Sequence, residues 1–200
     1  MMTGPGCTVR PARFTDLPAL NALFRDMFAR SRYSATTTLC DRTVKAVLIN
    51  AVRDHGRGRC LFVAEPDGRS KDGGKNNGRD TGDAGDTGDA GDTGDAGDTG
   101  NAGKPGGPYG FIIGACQPVY GVCRAREASD EFFYVADRAH PLAAPRLLAA
   151  FDAWARRAPG VTAIRLGITG AVSDWRRVQK LYVRRGYRQD GVFMIKEIEP

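Results

Sequence analysis

Apolar positions recur along this chain with two different periods, and the places where the period changes mark the elements. Thr8-Val-Arg-Pro-Ala12 reads as a short strand. Leu17, Leu20, Phe24, Met27 and Phe28 then share one face of a helix that tolerates Pro18 in its first turn. A second helical stripe, Val44, Val47, Leu48, Ala51 and Val52, follows Asp41, a residue type suited to capping a helix N-terminus. Cys60-Leu-Phe-Val-Ala64 and Tyr109-Gly-Phe-Ile-Ile-Gly-Ala-Cys116 are apolar strands that read as a hairpin. Asp130 to Val135 predicts another strand, and Leu147, Leu148, Phe151, Trp154 and Ala155 form the inner face of a third helix. Thr162 to Ile168 alternates as a strand and Leu181-Tyr182 lies on a fourth helix, before a last strand from Gly191 to Ile198. The order is β-α-α-β-β-β-α-β-α-β, which predicts an α/β (α+β) domain. Strand, helix, strand in the last stretch puts the helix of Tyr182 with its N-terminus at a strand end, where α/β folds hold their ligands.

The turn of the hairpin is interrupted. From Asp80 to Gly103 the chain repeats DTGDAG, and glycine falls at every third position from Gly82 to Gly106. That is formal Gly-X-Y spacing, but the triplets are Gly-Asp-Ala and Gly-Asp-Thr with Pro105 as the one proline, whereas a triple helix needs imino acids at X and Y. The repeats hold nothing apolar larger than alanine, so they add nothing to a core and read as a disordered Gly/Asp-rich loop. Loop-closure cost grows slowly with length, so a hairpin tolerates such an insert. The expected organisation is one domain over 7–198 interrupted at 66–108.

The insert also changes the meaning of the net charge. Nine Asp against five Lys plus Arg leave Pro66 to Pro108 at −4, so the +6 of the whole chain becomes +10 for the remainder. A basic folded part suits a phosphate-bearing cofactor and disfavours a polycationic substrate such as a polyamine. Arg156-Arg157, Arg176-Arg177 and Arg184-Arg185 sit on predicted helices without interleaved aromatics, which reads as solvated faces and not as a nucleic-acid surface. Five cysteines without a CxxC pair, and two histidines, predict reduced thiols and no metal centre. No apolar run approaches a membrane span, and Met1 to Gly6 carries no basic segment followed by an apolar one. A cytoplasmic protein is expected.

Arg10-Pro-Ala, Asp16-Leu-Pro-Ala, Ser31-Arg-Tyr33, Leu61-Phe-Val-Ala-Glu65, Phe132-Phe-Tyr-Val135, Trp154, Ile164-Arg-Leu-Gly167, Leu181-Tyr182 and Gly186-Tyr187-Arg188 occur in an order and spacing that resembles the GNAT superfamily of acetyl-CoA-dependent N-acetyltransferases, in particular a phage-type subgroup. The resemblance implies a mixed, mostly antiparallel central sheet flanked by helices. It also implies acetyl-CoA as cofactor and a small-molecule or protein amine as acceptor. For catalysis it implies Tyr182 as the acid that protonates the leaving thiolate and Glu131 as the base, with Asp130 next. Arg32 and Tyr33 correspond to a stretch near the acceptor. The cofactor set it implies is Tyr134, Val135, Arg138, His140, Ala143 and Ala144.

The chain departs from the family in the loop that cradles the pyrophosphate. Glycines there let backbone N–H groups approach the anion at a helix N-terminus. Taking Arg138 as the family's basic residue puts Pro141 and Ala143 at the glycine positions; a frame shifted by one puts Ala139, Leu142 and Ala144 in the loop pattern, and neither frame contains a glycine. Each proline removes an N–H donor, and Arg138 and His140 offer side-chain donors instead. Three readings therefore stand: an N-acetyltransferase, a GNAT-fold binding or virion-associated module without catalysis, and an assembly protein trimerised by the Gly-X-Y insert. The enzyme reading expects a monomer or homodimer.

Overall fold

A computed structural model describes residues 6–67, 107–168, 174–192, 194 and 196. Among the described residues the sheet has five strands in sequence order: β1 (Cys7–Pro11), β2 (Arg59–Pro66), β3 (Gly110–Pro118), β4 (Arg126–Val135) and β5 (Val161–Arg165). β1 to β4 pair antiparallel, and β5 runs parallel to β4 after a crossover through α3 (Ala143–Arg157). α1 (Leu17–Ala29) and α2 (Asp41–Arg53) join β1 to β2, and α4 (Trp175–Arg184) follows β5.

Strand alternation splits the apolar runs between two cores. Cys60, Phe62, Ala64 and Ile112 pack with Leu147, Phe151 and Trp154 of α3 on one face. Leu61, Val63, Phe111 and Ile113 pack with Leu20, Phe24, Val44 and Leu48 of α1 and α2 on the other. A strand covered on both faces has no reason to alternate polar with apolar, which is why β2 and β3 read as unbroken hydrophobic runs. Phe151 is fully buried, and removing a ring of that size from water contributes about 1.5–3 kcal/mol.

The hairpin expectation holds, because β2 and β3 are neighbours with Ala64 opposite Gly110, and the insert joins their ends. The repeats themselves lie outside the described residues. Two details differ from the sequence reading. Asp41 is the first residue of α2 and Cys40 the cap position; the Asp41 carboxylate instead accepts from Arg25 of α1 at 2.6 Å. β5 stops at Arg165 and not at Ile168, for the reason given below. The expected last strand, Gly191 to Ile198, lies in part outside the described residues.

Candidate active site

The site begins where the sheet opens. β4 and β5 pair from Arg126↔Val161 to Ser129↔Arg165, and the ladder goes no further. At the next residue the Asp130 carboxylate takes the place of a backbone acceptor: the Gly167 N–H donates to its Oδ1 at 2.8 Å. Beyond this bond the two strands part. The Ala136 N–H donates to Tyr109 O, so alternation turns the backbone groups of Phe133 and Val135 away from β3, toward the side β5 has left. Burial pushes the Asp130 carboxyl above its ordinary value, and the Gly167 N–H offsets only part of that.

A cleft of about 650 Å³ fills the opening and extends over α1 and α2. Both Phe132 and Phe133 line it, from opposite faces of β4, which a closed sheet would forbid. Asp130, Glu131, Tyr33 and Tyr182 meet there. Arg32 lies beside them, its guanidinium 4.9 Å from the centre of the Tyr33 ring and donating to the Tyr33 hydroxyl at 3.0 Å. Both Glu131 oxygens accept from Arg59 Nη2, at 2.5 and 2.7 Å. A carboxylate held in an ion pair is the poorer proton acceptor, and a desolvated one with a raised pKa the better. Glu131 is thus held in an ion pair, while Asp130 meets the neutral Gly167 N–H.

Tyr182 reaches the cleft because of how α4 starts and stops. Asp174 caps the helix by accepting the Arg176 N–H at 3.0 Å. Gly186 ends it at φ +85°, a left-handed conformation that glycine adopts without cost, and the Tyr187 N–H returns to Tyr182 O. Tyr187 then donates its hydroxyl to Asp152 of α3, and the two tyrosine rings sit 5.7 Å apart. Tyr182 is buried, and burial first, then the Asp130 charge, raises its hydroxyl pKa. It therefore keeps its proton at neutral pH.

The cofactor set occupies the far end of β4. Tyr134 points into the α1/α2 core, where its hydroxyl donates to Asp26 Oδ2 at 2.6 Å, so its side chain is engaged within the protein. Val135 packs on the α3 side. In the following loop Arg30 pairs with Asp137 at 2.5 Å, His140 Nδ1 accepts the Leu142 N–H, and the Ala143 N–H donates to His140 O. α3 starts at Ala143 and Ala144 with no capping side chain, and Pro145 in its first turn lacks an N–H. Arg185 joins this end, donating to Pro145 O at 2.7 Å. Arg59 and Arg185 are what the sequence reading did not place here; each depends on a partner at least 40 residues away. Among the described residues no group of His, Cys, Asp and Glu is placed to hold a metal ion, and no helix is long and apolar enough to cross a membrane.

No protein-family model and no curated protein matches this sequence. Solved structures match its fold. The aminoglycoside N-acetyltransferase AAC(6')-Iy in complex with CoA aligns over 100% of this chain and 99% of its own, with TM-score 0.62 and 13% identity. Glucosamine-6-phosphate N-acetyltransferase from Arabidopsis thaliana aligns over 97% and 99%, with TM-score 0.59 and 10% identity. Ribosomal-protein-alanine N-acetyltransferase from Brucella melitensis biovar Abortus 2308 aligns over 96% and 99%, with TM-score 0.56 and 14% identity. The chain has the GNAT fold that these proteins share.

Proposed function

We propose that this protein is an acetyl-CoA-dependent N-acetyltransferase acting on a primary amine. The observation that carries the reading is the parting of β4 and β5 at Asp130, with a desolvated carboxylate and a protonated tyrosine on the walls of one cleft. Acetyl-CoA supplies, when bound, a thioester carbonyl and a sulfur leaving group. The residues present fit it. The outward backbone groups of Phe133 and Val135 suit an extended chain bearing amides, as an added strand would. The uncapped α3 N-terminus, with Arg185 bonded at Pro145 O and Arg138 in the loop that leads into it, suits its phosphates.

The chain's own groups then divide the proton work. Asp130, at the oxygen that does not bond Gly167, takes the proton from the acceptor ammonium and leaves a nucleophilic amine. Tyr182 holds its proton at Oη, where it would meet the charge left on sulfur as the nitrogen–carbon bond forms and the carbon–sulfur bond breaks, and the second proton lost from the nitrogen would restore the tyrosine. Arg59 occupies both Glu131 oxygens and leaves them out of that exchange, so Glu131 shapes the wall. The acceptor lies on the side of Tyr33, with Arg32 orienting the tyrosine. The strings that resemble the phage-type subgroup and the free thiols support, as parts of the same reading, membership of that subgroup and a cytoplasmic location.

The glycine-free loop favours a second reading, a binding module without turnover, because His140 and Leu142 bond each other where the family has open backbone. Calorimetry with acetyl-CoA, together with a thiol-release assay, separates the two. Saturable binding with a rise in melting temperature is expected, and absence of both heat and thermal shift at millimolar acetyl-CoA would overturn the enzyme reading. The domain is proposed to be complete without the insert: deletion of Asp72 to Gly103 is expected to leave melting temperature and sedimentation unchanged. A trimer that becomes a monomer on deletion would establish the assembly reading instead.

A further inference from the structure

The walls of the cleft say what kind of amine fits it. Phe24, Phe28, Leu39, Val47, Phe132 and Val178 give them an apolar surface built from α1, α2, β4 and α4. Three of the lining hydroxyls are engaged: Ser31 donates to Phe28 O at 2.8 Å, Thr43 donates to Cys40 Sγ at 3.1 Å, and that of Tyr33 accepts from Arg32 at 3.0 Å. A polyhydroxylated acceptor would strip water from its hydroxyls against hydrocarbon and replace few of those bonds.

Charge narrows the class further. The described lining carries two carboxylates and neither lysine nor arginine. Arg59, behind Glu131, bonds both of its oxygens and cancels its charge. Asp130 faces a neutral partner, the Gly167 N–H, and keeps one negative charge for one cation. A second ammonium would sit unpaired against apolar side chains, and an anionic acceptor would meet no cation in this lining.

Resting on the acetyl-transfer reading, we infer that the acceptor is a monocationic primary amine on an aromatic or aliphatic body, the class represented by 2-phenylethylamine. Its ammonium meets Asp130 and its apolar body fills the space between α1, α2 and β4.

The test uses the full chain and three probes, 2-phenylethylamine, spermidine and kanamycin, by calorimetry and by thiol release from acetyl-CoA. The expected dissociation constant for 2-phenylethylamine is lower than for either polycation by about tenfold or more, from burial of one ring. Asp130→Asn, which keeps the side-chain shape, is expected to weaken that binding by about tenfold or more. Spermidine or kanamycin bound or acetylated as well as 2-phenylethylamine overturns the inferred class while acetyl transfer stands. No binding of 2-phenylethylamine, or binding unaffected by Asp130→Asn, also overturns the class. Binding of 2-phenylethylamine with the expected Asp130 dependence, but with no thiol release from any probe, supports the class and overturns acetyl transfer.

Discussion

The two halves of one strand, β4, do different things. Arg126–Ser129 is laddered on both edges, to β3 and to β5, and its flanking charges reinforce the closure: Arg126 donates to Cys116 O at 2.8 Å and Glu127 pairs with Arg165 at 2.6 Å. Asp130–Val135 is laddered to β3 alone. In the first half both edges of the backbone are taken up by neighbouring strands, which leaves no open edge for a ligand. In the second, one side chain, Asp130, ends the β5 ladder, and the edge beyond it opens on a cleft. The perturbed carboxyl appears at this boundary because it is the place where a charge is both buried and not ion-paired.

The comparison predicts where substitutions act on chemistry and where on stability. Asp130→Asn has the largest expected effect, a loss of turnover of about 100- to 10,000-fold, the span of a missing general base. The same variant is expected to melt higher than the parent at neutral pH. Burial raises the native pKa of Asp130 above the unfolded value of about 3.9, so the native state binds the extra proton. Stability therefore falls as pH rises from the unfolded to the native value. Asparagine removes that fall, so the difference in melting temperature should close below the unfolded pKa. The parent's rate should climb with pH through the raised native value as the base form appears. A variant that is fully active, or less stable at neutral pH, would put Asp130 with the structural half of the strand.

Tyr182→Phe comes next, with turnover reduced by roughly 10- to 1,000-fold and little change in melting temperature, since the ring and its packing beside Tyr187 remain. Full activity on a confirmed acceptor would return this tyrosine to a packing role. Gly114→Ala probes the closed side of the boundary. Gly114 lies opposite Asp130, and a Cβ there would collide with the Phe151 ring. The expected cost is about 1–3 kcal/mol of unfolding free energy by denaturant titration, with the folded fraction retaining its turnover. Glu131→Gln should matter least, within about fivefold in kcat, as for a partly exposed ion pair worth about 0–1 kcal/mol. A loss comparable to that of Asp130→Asn would restore Glu131 as the base.

The helices and strands were legible because burial imposes period and the chain obeys it: the stripes of α1, α2 and α3 lie against the sheet as read, and the two-faced apolar runs became β2 and β3. The site was legible in part. Tyr182, Asp130, Glu131 and Tyr33 come together in one cleft, while the side chain of Tyr134 is turned into the core by its bond to Asp26.

What the sequence determined by itself is local and periodic: the elements, their order, the hairpin that carries the insert, and the absence of glycine from 137–142. Which carboxylate is free to act was decided by tertiary structure. Asp130 and Glu131 are adjacent and alike as residues. They differ because one meets a backbone N–H from 37 residues downstream and the other an arginine from 72 residues upstream. Desolvation and ion pairing depend on what the fold brings into contact, and no period along a chain encodes that.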